Sequence, residues 1–299
     1  MWGFVHRSDL KGKAAALALR AATAVCLAVL PALAAPPALA EPPATAAPPA
    51  RVVSINLCTD QLAMLLAGPG QLVSVTHLAT DPLMSSMVEQ AAGYAVNRGQ
   101  AEQVFLMRPD LVLAGTYTST ATVDLLRGLG VPVLQVPPVT SLAEASAQVR
   151  LVGAALGHPA RAEAMARQFD QNVAALRVTG TQVSAAFYYA NGYTTGQGTL
   201  ADEVLDLTGF SNAGAEAGVT GGGILPLERL VLADPQVVIT ASLYPGNSRS
   251  EDILLHPALQ ALRGGIGAQT DADWVCGTPH LLRAIRRMAA LRSSLAAPP

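Results

Sequence analysis

Lysine is almost missing from this chain. Of its 19 Lys and Arg residues only Lys11 and Lys13 are lysines, and both stand near the start. Such a charge balance excludes a nucleic-acid partner, because phosphate-backbone binding needs clustered cations. The cysteines number three, too few for a disulfide scaffold, so a hydrophobic core must carry the fold. Beyond the first forty residues no apolar run approaches the ~20 residues that a bilayer span takes. Enzyme signatures are missing as well: no G-x-S-x-G elbow, P-loop, complete G-x-G-x-x-G or H-E-x-x-H occurs. The stretches TGGGIL (220–225) and GQG (196–198) are glycine turns without the rest of those motifs. No converging set of histidines suggests a zinc site, so neither a catalytic residue nor a protein-held metal or cofactor is expected.

What is present begins with an export signal. Lys11, Lys13 and Arg20 precede an apolar run over 21–34, and Ala38-Leu39-Ala40 is a small-x-small cleavage site. Residues 1–40 are therefore expected to be a cleaved signal peptide, leaving a periplasmic protein that starts near Glu41. A lipid anchor on Cys26 is disfavoured by the bulk of Val25 before it. Removing residues 1–40 takes away four basic residues and one acidic residue, which leaves a net charge near −5. Residues 41–50, EPPATAAPPA, read as a disordered Pro/Ala linker.

From Arg51 onward, strand and helix patterns alternate. RVVSI, QLVSVT (71–76), DLVLAG (110–115) and VPVLQV (131–136) read as strands, with helices over QLAMLLAG and TVDLLRGLG (122–130). Such alternation indicates an α/β fold with a parallel sheet. Two helices follow. The second runs from Pro159 to about Leu176, with Ala162, Met165, Phe169, Val173 and Leu176 on one apolar stripe. The alternation then restarts with SAAFYY (184–189), TLADEVLDLTG (199–209), LPLERLVLA (225–233), QVVIT (236–240) and HPALQALRG (256–264), and ends in a helix from TPHLL. The strand before that last helix, GGIGAQT, is weakened by its glycines. The expected organisation is an N-terminal lobe over 51–140, connecting helices over 141–180 that include an interlobe strut, and a C-terminal lobe over 181–299.

One phrase is written twice. EQVFLMRPDLVL (102–113) and ERLVLADPQVVI (228–239) share a glutamate at the first place, a leucine four on, a proline seven on and a valine ten on. The second half thus reads as a looser copy of the first, with a cleft between the copies.

The ordered series RVVSINLCTDQLAMLLAG, AEQVFLMRPDLVLAG, GVPVLQVP, TGQGTLADEVLDLTG, LPLERLVLADPQVVIT and DADWVCGTPHLL resembles the iron-complex and cobalamin family of periplasmic binding proteins, which feed ABC importers. The likeness covers about residues 51–296. It implies a class III fold, two Rossmann-like lobes joined by a single long helix, with ligand held between them. It also implies a small-molecule metal chelate as cargo, an inner-membrane permease dimer as partner, and a monomeric protein. Siderophore, haem and cobalamin stay equal as ligands. An exported α/β enzyme or a structural binding module is the competing reading.

Ligands of parallel sheets sit beyond the carboxyl ends of the strands. That rule nominates Asn56, Cys58, His77 and Tyr117 in the first lobe, and Tyr189, Asn191, Tyr193 and Trp274 in the second; Arg98 is added from the loop before Glu102. His158 and His256 each precede proline at a helix start and read as local structure. Cys58 and Cys276 both fall where the cleft is expected. In an oxidising compartment they can pair across it; two free thiols or soft metal ligands are the alternatives. Glu102 and Glu228 each favour the dipole of their own helix's first turn. The resemblance adds a role, since this family presents one glutamate per lobe to arginines of the permease.

Overall fold

The computed structural model describes residues 47–296 apart from Tyr244, Asn247 and residues 263–265. The expected signal peptide and the first six residues of the linker lie outside the described residues. The last linker residues are not a loose tether. The Pro49 carbonyl accepts from the Gln71 amide at 2.7 Å, and the Ala50 N–H donates to the Asp110 carboxylate at 2.9 Å.

The first lobe is built from β1 (Val52–Ser54), α1 (Leu57–Leu66), β2 (Leu72–Thr76), α2 (Val88–Ala91), β3 (Ala95–Asn97), α3 (Ala101–Leu106), β4 (Leu111–Gly115), α4 (Thr120–Gly128) and β5 (Val133–Val136). Its sheet runs β3-β2-β1-β4-β5, all parallel. Successive residues face opposite sides, so Val52 and Leu113 enter one core while Val53, Val112 and Ala114 enter the other. Both faces are covered, which is why these strands read as unbroken apolar runs.

Helices α5 (Leu142–Ala155) and α6 (Pro159–Ala175) follow. Along α6, Ala162 and Ala166 pack into the first lobe's core, while Phe169 and Val173 pack into the second. The apolar stripe seen in the sequence therefore serves two cores in succession. Helix α5 does the same in reverse: Leu142 and Ala145 join the second core, Val149 and Val152 the first. The two lie close, for a Cβ built on Gly153 would overlap that of Ala162.

The second lobe comprises β6 (Val183–Phe187), β7 (Tyr193–Thr195), α7 (Leu200–Leu207), β8 (Phe210–Asn212), α8 (Ala213–Glu216), β9 (Gly222–Ile224), α9 (Leu227–Ala233), β10 (Val237–Ala241), α10 (Pro257–Gln260), β11 (Ile266–Thr270), α11 (Ala272–Val275) and α12 (Leu281–Ala296). Its parallel sheet runs β11-β10-β6-β8, and β7 and β9 pair antiparallel in a separate two-stranded sheet, with α7, β8 and α8 between them in the chain. The glycine-bearing stretch is a strand after all, pairing in parallel with β10. Conversely, among the described residues of the helix expected over 256–264 only Pro257–Gln260 is helical, and residues 263–264 lie outside the described residues.

The two sheets match. Each has a central strand (β1, β6), beside it the strand that closes the repeated phrase (β4, β10), and then the next strand in sequence (β5, β11). The phrase also repeats a backbone conformation. Arg108 and Asp234, equivalent residues before Pro109 and Pro235, take φ of 52° and 40°. Proline disfavours right-handed helix in the residue before it, so each copy ends its helix through a left-handed residue.

One buried acid has a measurable consequence. Asp60, in the first turn of α1, is fully buried; its Oδ2 accepts from the Thr76 hydroxyl and N–H, while Oδ1 has no partner. Burial raises its pKa to about 7, more than the bonds from Thr76 lower it. A folded pKa above the unfolded value of 3.8 means that stability is complete at low pH and is lost as pH rises through 7. Stability is expected to fall between about pH 3.5 and pH 7.5, by up to about 4 kcal/mol in all, and to be flat above that. Asp60→Asn should flatten that profile in thermal melts; an unchanged slope would show that Asp60 titrates normally.

Candidate ligand-binding cleft

The carboxyl ends of the two sheets face each other across a cleft made of two cavities. On the first-lobe side a cavity of about 490 Å³ is lined by Asn56 and Cys58 after β1, His77 after β2, Arg98 after β3 and Tyr117 after β4. On the second-lobe side a cavity of about 440 Å³ is lined by Tyr189, Tyr193, Thr195 and Trp274, with Pro137 and Gln148 from the connection. Cys58 and Val275 line both and mark where they meet. Eight of the nine nominated cleft residues thus border one cavity or the other. Asn191 does not. It is exposed in a tight turn at φ 56°, where its N–H donates to the Ser250 carbonyl, so its place is set by backbone geometry.

Each wall has a local cause. Asn56 caps α1, its side-chain oxygen accepting from the N–H groups of Cys58 and Thr59. That cap turns the chain out of β1 and places Cys58 at the cleft floor. The arginine loop is held by Asn97, which the sequence did not single out. Its buried amide donates to the carbonyls of Ser54 and Val75 and to Ser74 Oγ, and its oxygen accepts from the Gly99 N–H. Three strand ends are tied by this one side chain, and Arg98 rides on the loop. Arg98, His77 and Tyr117 are exposed, with Tyr117 87% accessible.

The opposite wall is aromatic. Trp274 meets Phe187 edge-on at 5.2 Å, Phe187 stacks on Tyr189 at 6.0 Å, and Tyr189 stacks on Tyr193 at 6.5 Å. Trp274 and Phe187 anchor the row in the core, Tyr189 is half-buried, and Tyr193 is exposed. Burial pushes the Tyr189 phenol well above its usual pKa, so it remains a neutral hydrogen-bonding group. Tyr193 is carried by β7 and lies over Gly222 of β9, where any Cβ would meet its ring. Thr195 adds a buried hydroxyl with no partner on this wall. These contributions come from a pair of three-residue strands, β7 and β9, too short to carry an alternating pattern.

The floor is a seam between the lobes. Cys58 and Cys276 are joined by a disulfide, with Cα atoms 5.3 Å apart. Beside it the Thr278 hydroxyl donates to Gln61 Oε1 at 3.1 Å, and Ser86 Oγ donates to Asp273 Oδ1 at 2.8 Å. Burial alone would raise the Asp273 pKa; hydrogen bonds from Arg283, Ser86 and Arg287 hold it below the usual carboxylate value. Among the described residues no three His, Cys, Asp or Glu side chains group as a metal site.

Two facing parallel sheets, a crossing helix pair and a cleft at the strand ends define a two-lobed binding protein. The comparisons identify the family: residues 52–265 match the periplasmic binding protein model, and the chain belongs to that family. It is 26% identical over 202 residues to an uncharacterized ABC transporter substrate-binding lipoprotein of Bacillus subtilis, covering 64% of this chain. The match spans 63% of that relative, just under two thirds of its length. It is also 26% identical over 198 residues to the vitamin B12-binding protein of Pectobacterium carotovorum, covering 63% of this chain and 70% of that one. Among solved structures, the periplasmic heme-binding protein RhuT from Roseiflexus superposes with a TM-score of 0.68 at 24% identity, over 83% of this chain and 99% of that one. The vitamin B12-binding protein BtuF of Vibrio cholerae gives 0.63 at 21% identity, over 83% and 98%. At such identity the two structures speak for the fold, which is the two-lobed α/β fold expected from the sequence. The family and these neighbours are binding proteins, not enzymes.

Proposed function

We propose that this protein is the solute-binding component of an ABC importer and captures a large metal chelate of the haem, ferric-siderophore or cobalamin class. The observation that carries the reading is the asymmetry of the cleft. A row of stacked aromatics lines the second-lobe cavity, and Arg98, the one arginine among the described residues lining either cavity, lines the first-lobe cavity. A flat conjugated ring suits the tyrosine face, and an anionic substituent suits the guanidinium. The relatives named for vitamin B12 and the neighbour named for heme support the same chemical class. Export and cleavage near Glu41 fit the role; they rest on the basic start and the small-x-small site, with periplasmic relatives as support.

Absorbance titration of the purified protein with hemin, cyanocobalamin and a ferric catecholate tests the reading. At least one should bind with a shifted visible spectrum. Tyr193→Ala should weaken that binding about tenfold, the loss of one stacking face, without moving the unfolding midpoint. Absence of binding to all three compounds would sink the proposal.

A further inference from the structure

Both copies of the repeated phrase expose the same apolar side chains. In α3 Ala101 and Val104 face the core, while Glu102, Phe105 and Leu106 are exposed. In α9 Leu230 is buried, while Glu228, Val231 and Leu232 are exposed. Glutamate, apolar residue and leucine stand at i, i+3 and i+4, which places all three on one helix face. The exposures match position by position: Phe105 41% and Val231 37%, Leu106 79% and Leu232 82%. Leu106 and Leu232 are the two most exposed large aliphatic side chains among the described residues. A single exposed leucine needs no explanation. Two of them at equivalent places, each one turn from an exposed glutamate, do.

We propose that Leu106 with Phe105, and Leu232 with Val231, are paired apolar anchors that seat the protein on a two-fold permease dimer. This rests on the importer reading above and names the chemistry of its partner. Each half of the dimer would present a recess for leucine beside a guanidinium that takes the glutamate. The duplication argues for this occupant: two related lobes offering one surface twice are met by a partner that repeats its own surface by a two-fold axis. Charge agrees, since neither glutamate has an ion pair among the described residues. Carboxylates set orientation and encounter rate, whereas the leucines supply an attraction that salt does not screen.

The test compares Leu106→Ser, Leu232→Ser and the double variant with Glu102→Ala/Glu228→Ala. Each is measured for binding to the cognate permease in nanodiscs at low salt and at about 0.5 M salt, where only contacts within a few ångströms survive screening. Each serine variant should bind about tenfold more weakly, and the double variant about a hundredfold, at both salt levels and with unchanged unfolding midpoints. If the glutamate variant loses binding while the serine variants keep it, docking stands and the anchors are wrong. If neither set loses binding, the docking surface itself is wrong. Wild-type binding to empty nanodiscs that Leu106→Ser/Leu232→Ser abolishes would assign the patches to lipid. A wild-type dimer in sedimentation that the same changes dissociate would assign them to self-association. Either result overturns the proposal.

Discussion

Reducing the Cys58–Cys276 bond is expected to lower the unfolding midpoint by roughly 10 °C, a loss of up to about 5 kcal/mol spread over a domain of this size. The magnitude comes from loop length. The bonded cysteines are 218 residues apart, so the crosslink restrains nearly the whole ordered chain in its unfolded state. Chain-entropy reasoning gives about 5 kcal/mol for a loop that long, an upper value because reduced chains keep some residual structure. The bond also sits where the two cavities meet, so it is a hinge pin as well as a staple. With it intact, the first lobe cannot swing away from α11. With it reduced, the lobes are held at this seam by the Thr278–Gln61 and Ser86–Asp273 contacts and by the α5–α6 pair. Scanning calorimetry of oxidised and reduced protein reads the stability, and Cys58→Ser/Cys276→Ser provides the reagent-free comparison. Equal midpoints for the oxidised and reduced forms would mean that the bridge adds nothing to stability.

Much of this architecture could be read from the chain, and the parts that could not have physical reasons. Buried parallel strands such as β4 and β10 announce themselves because both faces want apolar residues. Strand β3 does not, because it is an edge strand of three residues with Ala95 and Val96 exposed. Helix α6 was legible as a strut from its stripe. The matching role of α5 was hidden, since its apolar positions divide between two cores that only the tertiary structure distinguishes. Of the eight residues that the strand-end rule nominated, seven line the two cavities, because parallel sheets put their loops at one edge. The rule failed at Asn191, where a left-handed turn and not the strand's direction decides where the side chain stands. It also passed over Asn97, whose importance lies in the four hydrogen bonds of a buried amide.

Replacing both Glu102 and Glu228 with alanine is expected to abolish uptake while leaving ligand capture in the cleft unchanged. Taken singly, each acid is explained by its helix, because a carboxylate in the first turn stabilises the aligned peptide dipoles. That account says nothing about why equivalent helices on two lobes both carry it. Helix α3 leads into β4 and α9 leads into β10, and those strands occupy matching places beside the central strands of their sheets. Both carboxylates are exposed, and neither lines the cleft cavities. They are therefore free to pair with guanidinium groups outside the protein through forked, charge-assisted bonds. Two such contacts fix both position and rotation on a two-fold partner, which one contact cannot do. Each single change should leave partial transport, and the double change none. Exposed ion pairs weaken as salt shortens the screening length, so wild-type docking should fall steeply between about 0.05 and 0.5 M salt while the double variant shows little further dependence. Uptake assays in cells lacking the native binding protein decide the matter, with ligand titration of each purified variant as the control. Normal uptake by the double variant would remove the docking role from both glutamates.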